Sequence, residues 1–234
     1  MKVVFDILRR TSAESRPYHQ RVPFEYEEEN LTVALALRRI NAGGFTDETG
    51  APVEPVRFEE SCGQKKCGAC AMLINGQPAL ACDAFLSKLG KHRVIALAPL
   101  KKFPCVADLL VDRGIMMDNL KTLRQWAGED AAITEKEFDN AYNASLCLQC
   151  GCCLEACPNF YPGGEFFSAA AFAPQARLLS SLDDAHRAEV RKLYRAHIYD
   201  GCGQALACEK VCPAGLPLDR LLSRSNGVKI WKRR

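Results

Sequence analysis

Apolar and polar residues alternate along "KVVFDILRR", residues 2–10, and that period of two predicts a strand. "RVPFEYEEE", residues 21–29, supplies a hairpin partner. "LTVALALRRIN", residues 31–41, changes to helical spacing, with Asn30 as the expected N-cap and Gly43-Gly44 beyond the end. "AMLING" and "QPALACDAF" then read as strand, turn, strand about Asn75-Gly76, and "HRVIALAPL" as a further strand. Residues 1–100 therefore predict a small mixed sheet with one helix. After Pro104 the apolar steps lengthen to three and four. "VADLLVDRGIMMDNLKTLRQWA", "EKEFDNAYNASL", "FFSAAAFAPQARLLSSL", "DAHRAEVRKLYRAHIYD" and "LPLDRLLSRSN" all read as helices, with Pro174 expected to kink or split the third. The boundary is expected near 98–104, where Pro99 and Pro104 flank Lys101-Lys102, and the basic tail "KIWKRR" reads as a solvated end.

Composition changes this picture at one point. The 234 residues have a net charge of only +3, so nucleic acid is not an expected partner. Thirteen residues are cysteine, an odd number that disulfides alone leave unpaired. Disulfides also need an oxidising compartment, and Arg9-Arg10 is followed by no apolar signal core. Zinc and iron–sulfur clusters remain, and both point to an intracellular chain. No apolar run approaches the roughly 20 residues of a bilayer span.

Twelve of the thirteen thiols fall in three blocks, with Cys105 alone outside them. Cys62, Cys67, Cys70 and Cys82 stand at C-x4-C-x2-C-x11-C, whose first three positions match the plant-type [2Fe–2S] loop. Zinc sites favour paired C-x2-C knuckles, and only one is present here. Gly63, Gly68 and Ala69 leave room for backbone N–H groups to approach the sulfurs. The charges of Glu59, Glu60, Lys65 and Lys66 beside this loop are expected to be solvated.

Cys147, Cys150, Cys153 and Cys157-Pro158 form the bacterial ferredoxin run, whose fourth cysteine ligates the other cluster of a pair. Cys152 is out of register and reads as a small buried apolar residue. Laid over the third block, the same pattern finds Cys202, Cys208 and Cys212-Pro213, with Ala205 at the remaining ligand position. The crossover rule then assigns Cys147, Cys150, Cys153 and Cys212 to a [4Fe–4S] cluster. Cys157, Cys202 and Cys208 are left for a cluster short of one thiolate, hence [3Fe–4S]. Cys105 and Cys152 are not expected to be ligands.

These three motifs in this order resemble the iron–sulfur subunit of succinate dehydrogenase and fumarate reductase. The resemblance runs through nearly the whole chain, including "PLKKFPCVADLLVDR". It implies an α+β chain: an N-terminal β-grasp plant-type ferredoxin domain over 1–100 and a C-terminal all-helical two-cluster domain over 101–234. It implies single-electron transfer between a flavoprotein subunit with covalent FAD and a membrane anchor that binds quinone and haem b. It implies a peripheral position on the cytoplasmic face of the membrane. Ubiquinone-linked members carry a tryptophan pair after the Cys-Pro of the second block and a histidine after the first cysteine of the third. Here those places read "CPNFYPGGEF" and Cys202-Gly203, which looks more like menaquinone-linked members. Pro158 and Tyr161 are the quinone-edge candidates. No Ser/His/Asp set, phosphate loop or acidic pair stands out, so no catalytic residue is assigned. His19, His92, His186 and His197 read as surface or hydrogen-bonded histidines. The competing functions are the wire of another flavin oxidoreductase, such as a thiol-linked fumarate reductase or a 2-hydroxy-acid oxidase, and a free ferredoxin-like carrier.

Overall fold

The computed structural model describes residues 1–89, 93–124, 135–177 and 184–231. The chain divides into two units, Met1–Asp112 and Arg113–Arg234.

In the first unit, β1 (Lys2–Arg9) and β2 (Tyr18–Glu25) pair antiparallel, and β3 (Ala71–Ile74) and β4 (Gln77–Leu80) form a second hairpin. β5 (Val94–Ala98) lies between them, parallel to β1 and antiparallel to β3, giving the order β2-β1-β5-β3-β4. Alternation along β1 turns Val3, Phe5 and Ile7 into the core. α1 (Val33–Asn41) buries Val33, Ala34, Leu37 and Ile40. Its cap is Thr32, whose hydroxyl accepts from the Leu35 N–H, and not Asn30 as the sequence suggested. Both residues are competent caps; Thr32 is the one that stands where the backbone turns from extended to helical. A one-turn helix α2 (Leu86–Leu89) follows β4.

The expected helix after Pro104 starts late. β6 (Cys105–Ala107) and β7 (Leu110–Val111) form a small hairpin, and among the described residues of the expected 106–127 only α3 (Gly114–Thr122) is helical, 125–127 lying outside them. The reason is Asp108 at the hairpin turn. Its carboxylate accepts from Arg9 Nε at 2.9 Å, from the Arg10 N–H at 2.9 Å and from the Arg57 N–H at 2.9 Å. Arg9 and Asp108 are each 4 % exposed, so the pair is buried and clips the hairpin to the end of β1. The first unit therefore runs on through this hairpin to Asp112. Asp108→Ala takes the carboxylate from the buried Arg9 guanidinium, which keeps Gln20 Oε1 and the Glu54 and Pro55 carbonyls, and strands two backbone N–H donors. It is expected to cost about 3–5 kcal/mol, measured as a fall in the urea midpoint of the purified chain.

The second unit holds α3, α4 (Glu135–Ser145), α5 (Cys152–Ala156), α6 (Ser168–Arg177), α7 (Asp184–Tyr194), α8 (Ala207–Lys210) and α9 (Leu218–Lys229). A π-helical turn, Arg195–Tyr199, continues α7. α6 is the central element, with Ala169–Ala173 buried, and it packs against α4 and α9. Pro174 stands inside α6, which runs on through it to Arg177. Lys229, placed by the sequence in a solvated tail, is 4 % exposed.

Candidate metal centres

The first block is a loop between the sheet's halves. Cys62, Cys67 and Cys70 precede β3, and Cys82 follows β4, so the Asn75-Gly76 turn brings the fourth thiol back to the first three. The loop takes left-handed backbone at Gly63, Lys65 and Gly68. That winding points N–H groups at sulfur. Gln64 N and Lys66 N each lie 3.3 Å from Cys62 Sγ, Lys65 N lies 3.3 Å from Cys82 Sγ, and Cys82 N lies 3.4 Å from Cys70 Sγ. The Gln64 and Lys66 N–H groups draw the Cys62 thiol down to about 7. Burial pushes the Cys70 thiol up to about 12. A loop that already aims backbone donors at three of its four thiols suits a group that holds them as thiolates. Two of the neighbouring charges are paired: Lys65 with Asp83 at 2.6 Å and Glu60 with Arg38 at 2.7 Å.

The second and third blocks repeat each other in backbone as well as in sequence. Gln149 and Gln204 both have φ near +50°, at 49° and 52°. Gly151 and Leu206 both stand left-handed at the N-cap of a short helix, α5 or α8. Matched in this way, Cys150 of the first turn corresponds to Ala205 of the second.

Each repeat ends by handing a thiol to the other. One recess of about 380 Å³, mouth included, is lined by Cys147, Cys150, Cys153 and Cys212, with Ala170 and Leu216 behind them. A second, of about 440 Å³, is lined by Cys157, Cys202 and Cys208, with Ala205 and Pro158 at its wall. Among the described residues, no three Cys, His, Asp or Glu side chains converge as one metal ion requires. The thiols instead ring spaces wide enough for a polynuclear group. Burial pushes the Cys147 and Cys153 thiols up and raises Cys208 to about 11. Positive iron is what allows thiolates to persist in surroundings that otherwise keep the proton.

Further groups serve the first recess. Gln149 Nε2 donates to Cys147 Sγ at 3.2 Å and to the Ala170 carbonyl at 3.0 Å, tying that ligand loop to α6. Arg113 Nη1 donates to the Cys150 carbonyl at 3.4 Å. Cys152 is fully buried, and its S–H hydrogen bond to Cys150 draws the Cys150 thiol down. Sequence reasoning singled out neither Gln149 nor Arg113, although the paired Gln149 and Gln204 were visible in the repeat.

The remaining candidates separate. Pro158 lines the second recess, whereas Tyr161 is 64 % exposed and its ring lies against Gly164. Cys105 sits in β6, with Sγ 3.5 Å from the Asp108 carbonyl. His19 pairs with Asp6 at 2.8 Å, and His197 Nδ1 lies 2.7 Å from the Glu165 carbonyl. His92 and the His186 side chain fall outside the described residues.

Residues 4–118 match the family model for a 2Fe-2S iron-sulfur cluster binding domain, and residues 143–216 that for a 4Fe-4S dicluster domain. The chain is thus an iron–sulfur protein with [2Fe–2S] and [4Fe–4S] binding domains in series. It is 34% identical over 233 residues to the succinate dehydrogenase iron-sulfur subunit of Bacillus subtilis, covering 95% of this chain and 90% of that one. It is 32% identical to the fumarate reductase iron-sulfur subunit of Wolinella succinogenes, covering 88% and 87%. The chain belongs to the family of succinate dehydrogenase and fumarate reductase iron–sulfur subunits. Its fold matches a solved chain of the Mycobacterium smegmatis Sdh1 complex with a TM-score of 0.74 at 19% identity, covering 97% of each.

Proposed function

We propose that this chain is the electron wire of a succinate dehydrogenase or fumarate reductase complex, running between a FAD flavoprotein subunit and a membrane quinone site. The observation that carries it is the pair of thiol-lined recesses, each drawing ligands from both repeats, in a chain of this family. In this reading Cys62, Cys67, Cys70 and Cys82 hold [2Fe–2S]. Cys147, Cys150, Cys153 and Cys212 hold [4Fe–4S], and Cys157, Cys202 and Cys208 hold [3Fe–4S]. Such clusters supply single-electron transfer, while flavin handles the two-electron step.

The chain's own residues do the rest. The N–H donors on Cys62, Cys70 and Cys82 favour negative charge on those sulfurs and so ease reduction. Gln149 does the same at Cys147. Pro158, at the wall of the second recess, is the edge that faces menaquinone, and the exposed Tyr161 is a second candidate there. Among the described residues no helix is long and apolar enough to cross a membrane. In this reading attachment to the cytoplasmic face goes through an anchor subunit with quinone and haem b.

The test is anaerobic purification of the native complex, with identification of the flavoprotein beside it. Iron analysis is expected to give ~9 irons per chain, the sum of two, four and three. Electron paramagnetic resonance is expected to resolve three cluster signals. Tightly bound zinc without cluster signals overturns the reading.

A further inference from the structure

α6 and α9 pack together in the core of the second unit, and the last turn of α9 puts a lysine into that core. Lys229 is 4 % exposed. Its Nζ donates to Gln175 Oε1 at 2.8 Å and lies 4.5 Å from the centre of the Tyr194 ring. Both partners are neutral. Gln175 Nε2 is itself buried without a hydrogen-bond partner. An ammonium buried among neutral groups is costly, and a charge kept there calls for a compensating anion nearby.

The packed elements offer few. From α6 the group facing Lys229 is Gln175, and from α7 it is Tyr194, whose hydroxyl donates to Asn226 Oδ1 at 2.7 Å. Arg177, Glu189, Lys210, Asp219 and Arg220 on α6, α7, α8 and α9 are exposed, and Arg224 turns to Glu137 at 3.6 Å. The thiols of Cys147, Cys153, Cys202, Cys208 and Cys212 border the same core. Tyr194 lies on the Cys202 side: burial, with the Cys202 thiolate adding to it, holds the Tyr194 proton in place. Phe172 and Leu222 form the inner wall of the second recess. Gln175 is one turn beyond Phe172, and Lys229 two turns beyond Leu222, roughly 10 Å along the helix axis. Leu222, Ser225, Asn226 and Lys229 are all buried along this stretch of α9, so charge on either side is screened less than in water.

We infer that Lys229 is the buried counter-charge of the cluster held by Cys157, Cys202 and Cys208, a positioning residue that sets that cluster's potential through its own charge. The inference rests on the ligand reading proposed above. Burial alone pulls Lys229 down to about 7, so its protonation changes near neutral pH. An electron entering the recess from its donor adds one negative charge. The ammonium stabilises that charge, so reduction raises the affinity of Nζ for a proton. One electron enters the cluster from its donor, and up to one proton passes from solvent hydronium to Nζ, breaking an O–H bond and forming an N–H bond. The sign follows. Below the lysine's pKa the cation is present and the potential is high, and the potential falls as pH rises through about 7.

The experiment is a mediator-dye potentiometric titration of the intact complex, followed by electron paramagnetic resonance, from about pH 6 to about pH 9. The parent's three-iron potential is expected to fall across that window. Lys229→Met is expected to be low and flat, and Lys229→Arg, whose charge persists, high and flat. A pH-independent parent, or a parent-like slope in either variant, overturns the inference. Should Lys229→Met fail to assemble, the parent and Lys229→Arg decide it. Absence of any three-iron signal in the parent overturns the ligand reading and this inference with it. A signal that is present but indifferent to pH overturns this inference alone.

Discussion

Cys212→Ser is expected to remove the [4Fe–4S] cluster and spare the [3Fe–4S] cluster, although Cys212 lies in the same block as Cys202 and Cys208. Cys157→Ser is expected to do the reverse. The cause is the crossover: Cys212 lines the recess of Cys147, Cys150 and Cys153, and Cys157 that of Cys202 and Cys208. A serine hydroxyl keeps its proton at neutral pH and replaces a thiolate poorly. Iron is expected to drop by ~4 per chain in the first variant and ~3 in the second. Each loss breaks the wire, so quinone-coupled activity should fall to background in both. The check is iron content with electron paramagnetic resonance of each complex. Loss of the three-iron signal in Cys212→Ser, with the four-iron signal intact, shows that each block holds its own cluster and sinks the crossover.

What could be read before folding depended on how local its cause was. Strand alternation and the Asn75-Gly76 turn are local, and β1, β3, β4 and β5 fall within the stretches expected for them, while β2 (Tyr18–Glu25) starts and ends three to four residues before the expected 21–29. The cysteine spacings are local too, and the two recesses gather the thiols in the expected sets. The hairpin at residues 105–111 was not legible, because "VADLLVDR" has helical spacing. Its strand pairing is imposed by a carboxylate whose partners lie at Arg9, Arg10 and Arg57. The burial of Lys229 was hidden for a similar reason. A basic tail looks solvated until Gln175 and Tyr194, distant in sequence, close over it.

Ala205→Cys is expected to turn the three-iron centre into a four-iron one. Ala205 lines the second recess and stands where Cys150 stands in the matching turn. The backbones agree on both sides of it, at Gln149 and Gln204 and again at Gly151 and Leu206. A thiolate placed there supplies the missing ligand for a fourth iron. The fourth iron brings its own positive charge along with the thiolate's negative one, so the shift is set by the change of cluster type and not by the thiolate charge alone, and the midpoint potential is expected to move away from the parent's. Since this centre is the last carrier before quinone in the proposed wire, quinone reduction should slow several-fold. Activity of the flavin half-reaction with an artificial acceptor should hold near its parent value. The measurements are the oxidised-state resonance signal, the midpoint potential and both activities, in parent and variant side by side. An unaltered three-iron signal at an unchanged potential means that residue 205 does not face the vacant corner, and the repeat-based ligand reading fails with it.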